Sequence, residues 1–102
     1  MADFVEAAGL DQVPPGKSTS VKVGGRDVAL FNVDGTIFAM DDNCPHAGAS
    51  LGLGKLDGKT VTCRSHGMRF DVTTGCFAET SDSGVASYPV KVVDGTILVA
   101  VG

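Results

Sequence analysis

The sequence predicts an all-β domain, a sandwich or small barrel built from short antiparallel strands. Its 14 glycines separate short runs of β-branched and aromatic residues, and no segment has convincing helical periodicity. Three of the glycines follow an aspartate, in the pairs Asp34-Gly35, Asp57-Gly58 and Asp94-Gly95. Asp-Gly is typical of tight hairpin turns, because both central residues of such a turn adopt positive φ. We therefore expect each pair to mark a reversal of the chain.

Strands are expected where β-branched or aromatic residues flank these turns or alternate with polar residues. In chain order the predicted strands are Phe4 to Ala7, Ser18 to Val23, Val28 to Val33, Thr36 to Met40, Val90 to Val93 and Thr96 to Val101. Gly24-Gly25 turns the second strand toward the third. Two polar segments, Asp11 to Lys17 and Glu79 to Ser87, are predicted to be loops.

Length and charge restrict the class of protein. A chain of 102 residues fits one domain, residues 1–102. The net charge of −4 argues against a nucleic-acid partner and favours a basic protein partner. The chain has no apolar stretch of about 18 residues that could cross a bilayer. Because Met1 to Gln12 lacks the basic and apolar regions of a secretory signal, we expect a cytoplasmic protein that does not contact a membrane.

Two segments near the middle of the chain contain both histidines and two of the three cysteines. Cys44 and His46 lie in NCPHAGASLG, and Cys63 and His66 lie in CRSHGMRF. A reversal at Asp57-Gly58 would bring these segments side by side. Each would then offer one thiolate and one imidazole, a donor set that suits zinc or iron–sulfur chemistry rather than hard cations.

Any one of these four residues alone would not indicate a metal site, since an exposed loop histidine or a small buried cysteine is common. Together they indicate a metal site, and in a reducing compartment spaced cysteines are more often metal ligands than disulfides. Zinc in a structural site is one alternative. Zinc fingers usually place a cysteine pair before a histidine pair, whereas cysteine and histidine alternate here, which favours iron–sulfur chemistry.

At these residues the sequence resembles the Rieske iron–sulfur proteins, whose signature is C-x-H followed by C-x-x-H. The two halves stand here as CPHAG and CRSHG, and the stretches RFDVTTG and YPVKVVDGTILV resemble strands of small Rieske ferredoxins. The resemblance covers nearly the whole chain and implies one two-iron two-sulfur cluster held by two loops, at about 43–54 and 63–70. It also implies that Cys44 and Cys63 bind one iron and that His46 and His66 bind the other.

Residues beside these ligands predict a low reduction potential. High-potential members of the family carry an extra cysteine in each loop and hydroxyl donors from a serine and a tyrosine. Ala49 and Ser65 stand where those cysteines would be, and Met68 and Phe70 stand where the hydroxyl residues would be. Without the disulfide and the two donors, we expect a potential near the bottom of the Rieske range of roughly −150 to +300 mV.

The resemblance implies a monomeric one-electron carrier, not an enzyme. It would take electrons from a flavin-dependent, NAD(P)H-oxidising reductase and deliver them to a terminal oxygenase, in aromatic compound oxidation. No nucleophile in the sequence has an obvious activating base, because both histidines are predicted ligands. An alternative is the small subunit of a nitrite reductase-type complex. Many such small subunits resemble this fold but lack the four ligands. A third hypothesis is an interaction module whose fold is stabilised by a structural zinc ion.

Four other features receive structural interpretations. Cys76 is expected to be a half-buried small hydrophobe, and Phe70 and Phe77 are expected in the core beneath the cluster. The pair Asp41-Asp42 is expected to be solvated, with a docking patch as the alternative. Many Rieske proteins cover the cluster with a proline-containing loop, and the corresponding segment here, Ser81 to Ser87, has no proline.

Overall fold

The structure, a computed structural model, describes residues 4–43, 50–63, 69–76 and 84–101. These residues form ten strands and two short 3-10 helices, so the predicted all-β class is confirmed. The strands are β1 (Val5–Gly9), β2 (Ser18–Val23), β3 (Arg26–Val33), β4 (Thr36–Asp41), β5 (Lys55–Asp57), β6 (Thr60–Thr62), β7 (Arg69–Asp71), β8 (Ser87–Tyr88), β9 (Val90–Val93) and β10 (Thr96–Val99). The 3-10 helices are Leu10–Gln12 and Leu51–Leu53. Neither helix in this described part of the chain could cross a membrane.

The strands are arranged in three antiparallel sheets. The first sheet has the order β1-β10-β9, the second β2-β3-β4-β8, and the third β5-β6-β7. The third sheet is made of three-residue strands: β5 and β6 lie between the two cysteine–histidine segments in sequence, and β7 begins where the second segment ends. It therefore connects these segments to the rest of the fold.

Two of the three Asp-Gly turns form as predicted. Asp34 and Gly35 have φ of 53° and 93°, and Asp94 and Gly95 have φ of 51° and 77°, as a turn with two left-handed central residues requires. The third reversal is shifted by one residue. Asp57 is the last residue of β5 and pairs with Thr60. The two turn residues are therefore Gly58, with φ of 60°, and the lysine that follows it.

The core has two layers of side chains, one on each face of the second sheet. Strand β3 contributes Val28 and Leu30 to one layer, which packs against Ile97 and Val99 of β10. It contributes Ala29 and Phe31 to the other layer. Successive strand residues point to opposite faces, so a strand buried on both sides must be continuously apolar. This explains the uninterrupted run VALF in β3.

Some predicted boundaries differ from the observed ones. The first strand is Val5–Gly9 rather than Phe4 to Ala7, with a register irregularity between Glu6 and Ala8. The last strand ends at Val99 and not at Val101. The segment Glu79 to Ser87 is not a loop throughout. Ser87 belongs to β8 and pairs with Met40, because β4 would otherwise leave an unpaired backbone edge there.

Candidate metal centre

Of the four predicted ligands, Cys63 lies within the described residues. It directly follows β6, is 1% exposed, and belongs to the same core layer as Val61 and Phe70. Cys44 and His46 fall in the segment 44–49, and His66 falls in 64–68, so these three lie outside the described residues. The prediction that Phe70 is a core residue is confirmed, since its side chain is fully buried.

Each of the two segments begins and ends at paired backbone. Asn43 and Ser50, which flank the segment 44–49, form an isolated antiparallel bridge. Thr62 and Arg69, at the ends of β6 and β7, are paired across the segment 64–68. The described residues on the two sides of each segment are therefore neighbours, as the predicted loops require.

The bases of the two segments are adjacent. Lys55 lies five residues after Ser50, where the described chain resumes, and it pairs with Thr62, which precedes Cys63. A Cβ atom on Gly54 would overlap the carbonyl oxygen of Thr62, so the two backbones touch here without an intervening side chain. Leu51 is buried in the same layer as Cys63. The predicted approach of the two loops is thus observed at their described ends.

These described residues fit a cluster shared between two loops. Cys63 supplies a soft sulfur donor of the kind that iron–sulfur chemistry uses. Its neighbours Val61, Phe70 and Leu51 are buried and apolar, so they limit access of water to one side of the site. The backbone contact between the two loop bases is what a group bound by donors from both loops would require.

Asp42 corrects the sequence-based interpretation of the acidic pair. Its side chain is 5% exposed, so it is neither solvated nor a docking patch. Asp42 Oδ2 accepts a hydrogen bond from Ser20 Oγ at 2.8 Å, and Oδ1 accepts from Ser50 Oγ and from the Gly52 N–H, each at 2.8 Å. The alternation of side chains along a strand could have indicated that Asp42 is buried. Asp42 lies two residues after the buried Met40 and points to the same face.

A third segment, 77–83, also begins and ends at touching backbone. Cys76 and Gly84 form an isolated bridge, and the Val85 N–H donates to the Gly75 carbonyl oxygen at 2.8 Å. A Cβ on Gly84 would overlap that carbonyl. Phe77 and residues 81–83 of the predicted covering loop lie outside the described residues. Cys76 is half-buried, as predicted.

The turn after β7 is held by Asp71. Its Oδ1 accepts hydrogen bonds from the Thr73 hydroxyl at 2.6 Å and from the Thr73 N–H at 2.9 Å. Lys59 Nζ lies 4.0 Å from Asp71 Oδ2. The hydrogen bond from the Thr73 side chain, helped by its N–H and by the Lys59 charge, lowers the pKa of Asp71 below its ordinary value despite partial burial. The carboxylate form thus stabilises this turn.

Comparison with known families matches residues 3–89 to the Rieske [2Fe-2S] domain. The match includes both cysteine–histidine segments. The chain is similar to the ferredoxin component of the naphthalene 1,2-dioxygenase/salicylate 5-hydroxylase systems of a Ralstonia species. The two are 41% identical over 93 residues, which is 88% of each chain.

Two solved structures are also similar over nearly their full length. One is a chain of the complex of reduced oxygenase and oxidized ferredoxin in carbazole 1,9a-dioxygenase, with a TM-score of 0.84 and 31% identity over 95% of this chain and 92% of that one. The other is described as an NADH-dependent nitrite reductase small subunit from Mycobacterium tuberculosis. It has a TM-score of 0.88 and 26% identity, covering 100% of this chain and 97% of that one.

Proposed function

Because the chain belongs to the Rieske [2Fe-2S] domain family, we propose that it is a ferredoxin carrying single electrons from an NAD(P)H-dependent flavoprotein reductase to a terminal oxygenase of aromatic compound oxidation. The observation that carries this proposal is the 41% identity to a dioxygenase ferredoxin component over 88% of both chains. Similarity to a chain of an oxygenase–ferredoxin complex supports an oxygenase as the partner. The chain would act in the cytoplasm as a monomer, as a single Rieske domain over residues 1–102.

The cofactor is a Rieske-type [2Fe-2S] cluster, and we propose four ligands for it. Cys44 and Cys63 bind one iron, and His46 and His66 bind the other. The assignment is supported by the burial of Cys63 at the base of one loop and by the fact that His46 and His66 are the chain's two histidines. When bound, the cluster accepts and releases one electron.

Residues near the cluster influence its reduction potential. The fully buried ring of Phe70 lies in the same core layer as Cys63 and has no hydroxyl to donate to a cluster sulfur. Hydrogen bonds to cluster sulfurs stabilise the reduced state, which carries the additional negative charge. Their loss at Phe70 and Met68 supports a low potential, suited to reducing an oxygenase.

Electron delivery is the direct test of this function. Purified protein would be added to an aromatic-ring oxygenase and a matching NADH-dependent flavoprotein reductase, and substrate-dependent NADH oxidation would be measured. We expect turnover that needs all three components. The matched control, His66→Ala, should support none, because it removes a proposed ligand from the site. Turnover by His66→Ala equal to that of the unmodified chain would refute the assignment.

The similarity to a nitrite reductase small subunit favours one alternative function, a fixed subunit of a reductase complex. A carrier docks transiently through a small interface, whereas a permanent subunit stays bound to its large partner. Gel filtration of the native protein separates the two functions. Elution at the size of a single chain of about 10.4 kDa supports the carrier, and co-elution with a large partner supports the subunit.

A further inference from the structure

We propose that Asp42 is a positioning residue for the cluster, because its buried carboxylate holds the end of the first cluster-binding loop against strand β2. The inference rests on the proposed function, since it takes Cys44 and His46, which follow Asp42 in the chain, as cluster ligands. It adds a residue that contributes no ligand atom but determines where the ligands of one loop lie relative to those of the other.

The side chain of Asp42 is held by three donors from two parts of the chain. Ser20 Oγ comes from β2, while Ser50 Oγ and the Gly52 N–H come from the residues just after the segment 44–49, and each donor lies 2.8 Å from a carboxylate oxygen. Burial of a carboxylate is costly unless it is hydrogen-bonded. Hydrogen bonds to a charged acceptor are also stronger than neutral ones. The carboxylate therefore joins β2 to the end of the loop.

The backbone of Asp42, which lies just before the segment 44–49, also forms hydrogen bonds that hold the loop. The Leu51 N–H donates to the Asp42 carbonyl at 2.7 Å, and the Asp42 N–H donates to the Asp27 carbonyl at 3.1 Å. Asn43 and Ser50 are bridged next to these bonds. Residues on both sides of the segment 44–49 are consequently fixed to one another and to β3.

A close approach of Gly52 to β2 completes the attachment. Ser18 Oγ donates to the Gly52 carbonyl at 2.9 Å. A Cβ on Gly52 would overlap the Thr19 carbonyl oxygen and lie 2.7 Å from its carbon. Only a residue without a side chain leaves room for this backbone contact. The end of the loop is therefore located by a strand of the second sheet, which contributes none of the proposed ligands.

This attachment matters for the cluster because its ligands come from two loops. Leu51 lies beside Asp42 through its hydrogen bond and shares a core layer with Cys63 of the second loop. Release of residues 50–52 from β2 would change the separation of the two loop bases. Groups that orient metal ligands without binding the metal typically change metal retention by about 10- to 100-fold when they are removed.

The test compares Asp42→Ala with Asp42→Asn in the cluster-loaded protein. Asp42→Ala leaves three donors without their acceptor, so we expect the visible absorbance of the cluster to be lost about 10- to 100-fold faster in the presence of an iron chelator. We also expect the g-values of the reduced cluster in the EPR spectrum to change. Asp42→Asn keeps an acceptor oxygen for Ser50 and Gly52 and should restore both properties toward those of the unmodified chain.

A second variant acts on the same attachment without touching Asp42. In Gly52→Ala the added Cβ meets the backbone of Thr19, which cannot move aside as a flexible side chain would. We expect faster cluster loss and an altered EPR spectrum, as for Asp42→Ala. If Asp42→Ala does not accumulate as folded protein, Gly52→Ala decides the question.

Asn32→Ala is the matched control for general destabilisation. Asn32 is 2% exposed, donates to the Val13 carbonyl at 2.7 Å and accepts from the Gly35 N–H at 2.7 Å. It lies five residues along β3 from Asp27, about 17 Å at the usual strand rise. Asn32→Ala should lower the unfolding temperature but leave the EPR spectrum unchanged.

The outcomes separate this inference from the proposed function. An EPR spectrum and a cluster lifetime in Gly52→Ala and in folded Asp42→Ala no different from those of Asn32→Ala would overturn the inference. His46→Ala is measured in parallel. Loss of its Rieske EPR signal supports the ligand assignment whatever the Asp42 variants do, and retention of that signal refutes the ligand assignment on which this inference rests.

Discussion

Phe70 is the described residue that bears most directly on the reduction potential. It is fully buried and shares a core layer with Cys63. Its ring excludes water from this side of the site and offers no hydroxyl donor. Since water and hydrogen-bond donors both stabilise the reduced cluster, a buried phenyl group here favours the oxidised state. The predicted low potential therefore depends in part on this one side chain.

Phe70→Tyr should raise the midpoint potential. If the added hydroxyl donates to a cluster sulfur, and the bond is stronger in the reduced state by about 1.4 kcal/mol, the potential of this one-electron couple rises by about 60 mV. Redox titration followed by absorbance measures the shift. Phe70→Leu is the control, because it changes packing without adding a donor. An equal rise in both variants would show that packing, not donation, sets the potential.

Among the structural elements, the turn after β7 should make stability depend on pH. The pKa of Asp71 is lowered in the folded chain, chiefly by the Thr73 hydroxyl. The group binds fewer protons when folded, so its contribution is fully present above its unfolded pKa near 3.8 and is lost as pH falls through the lower folded value. This turn should therefore weaken in acid.

Asp71→Asn should remove that contribution. Because the side chain is only partly buried and its Lys59 partner is mostly exposed, we expect a loss of at most about 1 kcal/mol near neutral pH. Urea unfolding at a series of pH values measures the loss. The difference between the variant and the unmodified chain should shrink below about pH 4. A difference that stays constant down to pH 2 would contradict the pKa argument.

The contact between Gly75 and Gly84 should be sensitive to a single methyl group. In Gly84→Ala the added Cβ would overlap the Gly75 carbonyl, which is backbone. We expect a cost of about 1–3 kcal/mol in the free energy of unfolding, as overpacking usually produces. Gly9→Ala is the control, because its Cβ would meet the terminal oxygen of Asp11, which can rotate away. Equal costs in the two variants would show that the close approach is unimportant.

Elements determined by neighbouring residues were predictable from the sequence, and those determined by distant residues were not. The hairpin turns at Asp34-Gly35 and Asp94-Gly95 depend on local φ preferences, and both form as predicted. The short strands β5 and β6 have only three residues each, too few for a period to be recognised. The role of Asp42 depends on Ser20, which is 22 residues away, so charge alone suggested a solvated residue.

At the scale of the whole molecule, the second sheet connects the hydrophobic core to the cluster-binding loops. One of its faces packs against the first sheet, and the other packs against the residues that flank both loops. The core layer next to the loops contains Cys63, the described member of the proposed ligand set. The fold therefore places the bases of both loops on one buried core layer, which suits a carrier whose cluster must keep its geometry through each electron transfer.

The most direct measurement is an EPR-monitored redox titration of the purified protein, with iron and acid-labile sulfide determined on the same sample. We predict two irons and two sulfides per chain, a Rieske signal that appears on one-electron reduction, and a midpoint potential below about 0 mV. Protein that contains zinc without iron or sulfide, or a Rieske signal with a midpoint well above about 0 mV, would contradict the account of a low-potential ferredoxin.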